Sequence, residues 1–265
     1  MVLLPAHLLA PTPSFEEGIS SQEETKHRSF GCQLISASGI SLRLPQVVMV
    51  LAQTLLHRFY YRVSLKEYDV IESSMGCLFL AAKMKEKPRR DKDILNVYHA
   101  LCASRQHNHS NYEPLDLMSE RYLLLKKSLF NIESTILTEL GFAIAAIEAP
   151  PHTFLLYFIN VLDGSKALAQ RSWSLCNDIM YTDAIVRYSP QILCCAAILL
   201  SSRQLEIPLP QEPPWYRVFL PTRNEVRALE EVLERFYMFM KNVEKVEWIT
   251  PLSERGRILF SVKKS

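Results

Sequence analysis

Apolar residues recur along this chain at three- and four-residue intervals, the spacing of helices that bury one face, and sustained two-residue alternation is absent. The pattern predicts helices over 22–37, 45–61, 65–84, 90–102 and 119–140, then over 152–162, 165–182, 189–204 and 223–240. Pro45 suits a first helical turn, while Gly39 and Gly141 read as stops. The polar stretch 104–116 reads as a loop, and Ala149-Pro150-Pro151 as a break between two groups of helices.

Two of the stretches are apolar on nearly every side. IESSMGCLFLAAK in the third helix and SPQILCCAAILLSSR in the eighth cannot lie on a surface and must be surrounded by other helices. Aligned 120 residues apart, Leu78, Phe79, Leu80, Ala81, Ala82 and Lys83 meet Ile198, Leu199, Leu200, Ser201, Ser202 and Arg203. Three large apolar residues, two small ones and a base recur in order. The expected architecture is all-α, with two helical units each wrapped around one central helix.

Composition narrows the function. With 265 residues and 48% hydrophobic content the chain can build two cores. Thirty Lys and Arg against 28 Asp and Glu leave a formal charge of +2, which weighs against a dedicated nucleic-acid binder. No two of the seven glycines are close enough for a phosphate-cradling G-x-G-x-x-G or P-loop pattern. The six cysteines form no C-x-x-C and lie mostly in apolar surroundings, as expected of buried thiols in a reducing compartment. The apolar opening MVLLPAHLLAPT lacks a basic start and is broken by Pro5, and the longest apolar run, 192–200, is too short to span a bilayer. A soluble intracellular protein is expected.

Few residues suggest chemistry on spacing alone. His99, Cys102, His107 and His109 include a helix-compatible pair but no matching fourth-ligand spacing, so no metal is expected. Asp91 and Asp93 are not adjacent acids with a second cluster, as prenyl-transfer enzymes require, and no nucleophile–base arrangement stands out. Lys87, Arg89, Arg90 and Lys92 make the densest basic patch, suited to a solvated loop or to an acidic partner or nucleic acid.

Several motifs in one order resemble a cyclin, and more specifically an L-type cyclin. Ala81-Ala82-Lys83 resembles the cyclin-box segment carrying the kinase-contacting lysine, and Ile132-Glu133 followed by Leu140-Gly141-Phe142 resembles the end of the box with its matching glutamate. The L-type likeness rests on LRLPQVV (42–48), HRF (57–59), PRRDKDILNVYH (88–99), NDIMYTDAIVRYSP (177–190) and IPLP (207–210). The resemblance implies two tandem five-helix cyclin boxes: a flexible segment 1–19, an N-terminal box 20–147, a C-terminal box 148–242 and a tail 243–265. It implies a non-catalytic subunit without cofactor or metal, which binds and activates a cyclin-dependent protein kinase through Leu80, Lys83, Met84, Glu133, Phe142 and Ile144. Nuclear work in transcription and pre-mRNA splicing follows from the same likeness, with transcription or splicing factors as further partners and no membrane or direct nucleic-acid contact. A B-type general transcription factor, which uses the same fold to bind promoter DNA, is the alternative.

Departures from the family pattern are local. Met84-Lys85-Glu86-Lys87 stands where many cyclins have consecutive acids, and no Arg-Ser-rich stretch is present. Arg28 takes the position of a family arginine whose usual aspartate partner is replaced by His57. His27-Arg28-Ser29-Phe30-Gly31 and Leu34 stand where cell-cycle cyclins build an apolar substrate-docking groove, so that groove is expected to be missing.

Overall fold

Each of the two all-round apolar stretches folds into a 15-residue helix, and residues 70–82 of the first are buried without interruption. In the computed structural model, which describes residues 9–107, 114–142, 150–242, 249–253, 256, 257 and 259, no strand is present among these residues. The helices are α1 (Pro13–Glu16), α2 (Ser21–Ser41), α3 (Gln46–Phe59), α4 (Val70–Met84), α5 (Asp91–His107), α6 (Glu120–Glu139), α7 (His152–Val161), α8 (Lys166–Ile179), α9 (Ala184–Arg187), α10 (Pro190–Gln204) and α11 (Arg223–Asn242). A short 3-10 helix, Trp215–Val218, lies between the last two.

Local chemistry sets the boundaries. Ser20, Ser119 and Ser165 cap α2, α6 and α8 through their hydroxyls, each accepting an amide three residues on at 3.2 Å. Asp69 does the same for α4, accepting from the Ile71 amide at 2.8 Å, which starts that helix at Val70 rather than at 65. Residues 65–68 form instead a turn closed by the Tyr68 amide on the Ser64 carbonyl. At the other end, α2 runs past Gly39 because the stop is made by Arg43, whose backbone is left-handed with φ 52°. Glu86 (φ 55°) and Glu206 (φ 54°) end α4 and α10 in the same way. α5 continues to His107, into the stretch expected to be loop.

The described residues between 4 and 145, joined by those of 245–265, form one compact unit, and those between 146 and 244 a second. In the first, α2, α3, α5 and α6 surround α4; in the second, α7, α8, α9 and α11 pack on α10. Both central helices carry a core in which Ile71, Met75, Leu78, Leu193, Cys194 and Ile198 are wholly buried. An all-α fold of two such units matches the sequence expectation. Two segments expected outside the boxes also carry contacts to the first unit. Ser14 is buried and accepts from the Leu65 amide at 3.1 Å. Near the other end, Gly256 lies against Asp69.

Candidate functional site

The last turn of α4 and the second half of α6 meet at the surface of the first unit. Gly76 allows the approach: a Cβ there would lie 2.7 Å from the Ile132 side chain and 3.1 Å from that of Ile136. About two turns further along, Lys83 reaches across to α6. Its Nζ lies 2.8 Å from both carboxylate oxygens of Glu133. It also sits 3.9 Å from the centre of the Phe79 ring and 5.9 Å from that of Phe130, rings that meet edge to face. The ammonium is thus held by a carboxylate and two aromatic faces. Lys83 keeps 43% of its side chain exposed while Glu133 keeps only 12%, so the lysine presents the charge and the glutamate fixes its position. With two N–H groups on Glu133, a third remains for an acceptor on another molecule, such as a carbonyl at a helix C-terminus.

The remaining expected contact residues divide. Met84 is half-buried beside Lys83, and Phe142 is 67% exposed in a left-handed conformation (φ 56°) directly after α6. Leu80 is buried and faces the core, so it supports the site from beneath instead of offering contact surface. Ile144 lies outside the described residues. Phe79 and Phe130, which sequence reasoning passed over, complete the cage. Their signal was helical spacing: Phe79 stands four residues before Lys83, and Phe130 three before Glu133. Leu123 and Leu124, earlier on α6, are also exposed.

The basic stretch after α4 is partly structural. Arg89 donates through Nε to the Leu42 carbonyl at 3.1 Å and through Nη2 to the Arg43 carbonyl at 3.2 Å, pinning the α2–α3 turn. Arg90 pairs with Asp93, and Asp91 with Lys126 at 2.7 Å. Lys85 and Lys87 point to solvent.

Elsewhere the first unit replaces a missing partner locally. Arg28, expected to lack its aspartate, pairs with Glu24 one turn earlier on α2, donates to the Tyr60 carbonyl at 2.9 Å and lies over the Tyr61 ring. His57 turns to Cys32, with Nε2 3.3 Å from Sγ. Phe30 and Leu34 are wholly buried, so neither offers apolar contact surface at 27–34. Of the four metal-suggestive residues, His109 and the side chain of His107 lie outside the described set. Burial and nearby Arg121 lower the pKa of His99. Among the described residues no group of three His, Cys, Asp or Glu is placed to hold a metal ion.

Residues 9–145 match a family model described as the cyclin N-terminal domain. The chain is 34% identical to Cyclin-L1 of Homo sapiens over 264 residues, covering 99% of this chain and 49% of that protein. It is 39% identical to Cyclin-L2 of Homo sapiens over 230 residues, with 86% and 43% covered. Against Cyclin-L1 of Gallus gallus it is also 39% identical, with 86% and 42% covered. The chain thus spans about half the length of the curated relatives it matches. Among solved structures, one chain of the yeast RNA Pol II CTD kinase CTDK-1 complex aligns with a TM-score of 0.71 at 13% identity, over 98% of this chain and 81% of that one. A chain of the CAK complex from Chaetomium thermophilum bound to ATP-gamma-S aligns with a TM-score of 0.60 at 18% identity, over 91% and 70%. At these identities the two structural likenesses establish the fold.

Proposed function

The chain belongs to the cyclin family, its matched relatives being L-type cyclins, and on that premise we propose that it is the regulatory subunit of a cyclin-dependent protein kinase. The observation that carries the reading is the Lys83–Glu133 pair at 2.8 Å between two aromatic rings, on an exposed face flanked by Met84 and Phe142. Such a face suits the regulatory helix of a kinase small lobe. The ammonium's remaining N–H donates to a helix-end carbonyl, and Phe130, Met84 and Phe142 exclude water around it. The subunit supplies no reacting group. By binding the arrangement in which the kinase's own lysine–glutamate pair is formed and its activation segment is clear, it shifts the kinase population toward the active form. Nuclear location, and action on transcription and pre-mRNA splicing, are the cellular side of the same proposal and rest on the likeness to L-type cyclins.

The test is kinase affinity and activation for Lys83→Ala, Glu133→Ala and the double variant, with helical content checked by circular dichroism. Removing one member of a desolvated charged pair is expected to cost about 2–5 kcal/mol, roughly 30-fold to several thousandfold in affinity. A merely solvated pair would cost under about 1 kcal/mol. Near-wild-type affinity in both single variants would reject the site and leave the family assignment standing.

A further inference from the structure

The second unit contains a concavity of 420 Å³ between the C-terminal turn of α10, the loop that follows it, the 3-10 helix and α11. Its floor is apolar. Val226, Leu229 and Leu233 line it from one face of α11 and Leu199 from α10; only Leu229 of these four is fully buried. Its rim carries three exposed charges, Arg203, Glu206 and Glu230, none with an ion-pair partner among the described residues. Trp215 forms part of the wall, and its buried indole N–H has no acceptor among the described residues.

The first unit shows why this groove exists and what shape fills it. There the third and fifth helices of the box, α4 and α6, are bridged by α5, a 17-residue helix. The second unit places only the four-residue 3-10 helix between the corresponding α10 and α11. Leu125, Ser128 and Ile132 are buried on α6 with the same spacing as Leu229, Val232 and Phe236 on α11. Superposing these two burial patterns places Lys126 at Glu230, and Leu129 at Leu233. In the first unit Lys126 is paired with Asp91 of α5 and Leu129 is wholly buried, whereas Glu230 is unpaired and Leu233 half-exposed. The groove is therefore a place for the start of a helix that the second unit does not supply, with the charge on its wall reversed.

We propose that this groove is a docking site for an amphipathic helical segment of a partner protein that carries lysine or arginine beside its apolar face. The apolar face covers Leu199, Val226 and Leu233, and the cation lies against Glu230 and Glu206, as Asp91 lies against Lys126 in the first unit. The site is independent of Lys83 and Glu133.

The probe is a display library of random segments of about 15 residues, long enough for four helical turns. It is selected on the intact chain and counter-selected on Glu230→Arg, an exposed substitution. Enriched segments are expected to be amphipathic and basic. As synthetic peptides they should lose at least about tenfold in affinity on Glu230→Arg and on Leu233→Ser, with helical content of the protein unchanged in both. Kinase binding should be unaffected by either substitution. Three results would overturn the proposal: no segment preferring the wild type over Glu230→Arg, enriched segments that are acidic or lack an apolar face, or a dimer of the chain itself that Glu230→Arg dissolves. The last would assign the groove to a second copy.

Discussion

Asp69 is a buried carboxyl with one oxygen engaged by the Ile71 amide and the other, Oδ2, without a hydrogen-bond partner among the described residues. Burial pushes its pKa up to about 7, and the nearby Glu72 carboxylate adds to the rise against the backbone donors of the cap. The folded protein therefore holds a proton on Asp69 between about pH 4 and pH 7 that the unfolded chain has released. Stability consequently falls as pH rises through that window and levels off above it. Asp69→Asn keeps a capping side chain and removes the titration. The variant's unfolding free energy relative to wild type should improve between pH 4 and pH 8 by on the order of 1–4 kcal/mol. Equal differences at the two pH values, measured by denaturant titration, would contradict this account. The cysteines offer a second check. Cys77, Cys194 and Cys195 are wholly buried, and burial pushes Cys195 up to about 12. A native thiol-labelling experiment should leave all three unmodified until denaturant is added; rapid labelling of Cys194 would contradict the buried central helix.

Helix α4 owes its position to a residue with no side chain. Alanine is the better helix former by about 1 kcal/mol, yet Gly76→Ala would drive a methyl group into Ile132 and Ile136. Overpacking of this kind typically costs about 1–3 kcal/mol, so a net loss of stability in the first unit is expected despite the gain in propensity. Because the same contact sets the spacing of α4 and α6, Gly76→Ala should also weaken kinase binding with Lys83 and Glu133 intact. Chemical denaturation and kinase affinity measured on the same preparation check both effects. A stabilised variant would mean that the two helices can separate freely.

Across the whole molecule, the C-terminal segment closes over the start of α4. A Cβ on Gly256 would lie 2.5 Å from Asp69 Cγ, so any larger residue there must displace the segment or the cap. Ser253 accepts the Gly256 amide at 2.9 Å, and Leu259 lines a 10 Å³ cavity together with Met75, Tyr98 and Leu125. Gly256→Val is expected to speed proteolytic cleavage within 250–259 and to flatten the pH dependence attributed to Asp69, by readmitting water to its carboxyl. Unchanged cleavage and an unchanged pH profile would show that the segment does not control that environment. Charge distribution bears on the DNA-binding alternative. Residues 83–92 hold six bases and two acids, net +4, so with +2 overall the rest of the chain carries a net charge of −2. One short basic loop on an otherwise slightly acidic molecule is a poor match to a duplex, and no gel shift of promoter DNA is expected at physiological salt.

Helix content, the two central helices and the order of the elements were legible because they depend on local periodicity and on how much apolar surface a segment must hide. The approximate helix ends were legible for the same reason. The stops at Arg43, Glu86 and Glu206 were not, since a left-handed backbone on a non-glycine residue is selected by what packs around it. Family motifs mark Lys83 and Glu133, 50 residues apart, but their direct pairing and the aromatic cage from Phe79 and Phe130 exist only once α4 and α6 are packed. Leu80 is expected among the contact residues from the family likeness, whereas the packing of α4 buries it. Gly256 against Asp69 and the groove beside α11 likewise depend on distances that close only in three dimensions. The sequence by itself determined which segments are helices and which two must be central. The tertiary structure decided which polar side chains meet and which apolar faces stay open, because those depend on the relative rotation and spacing of helices far apart in the chain.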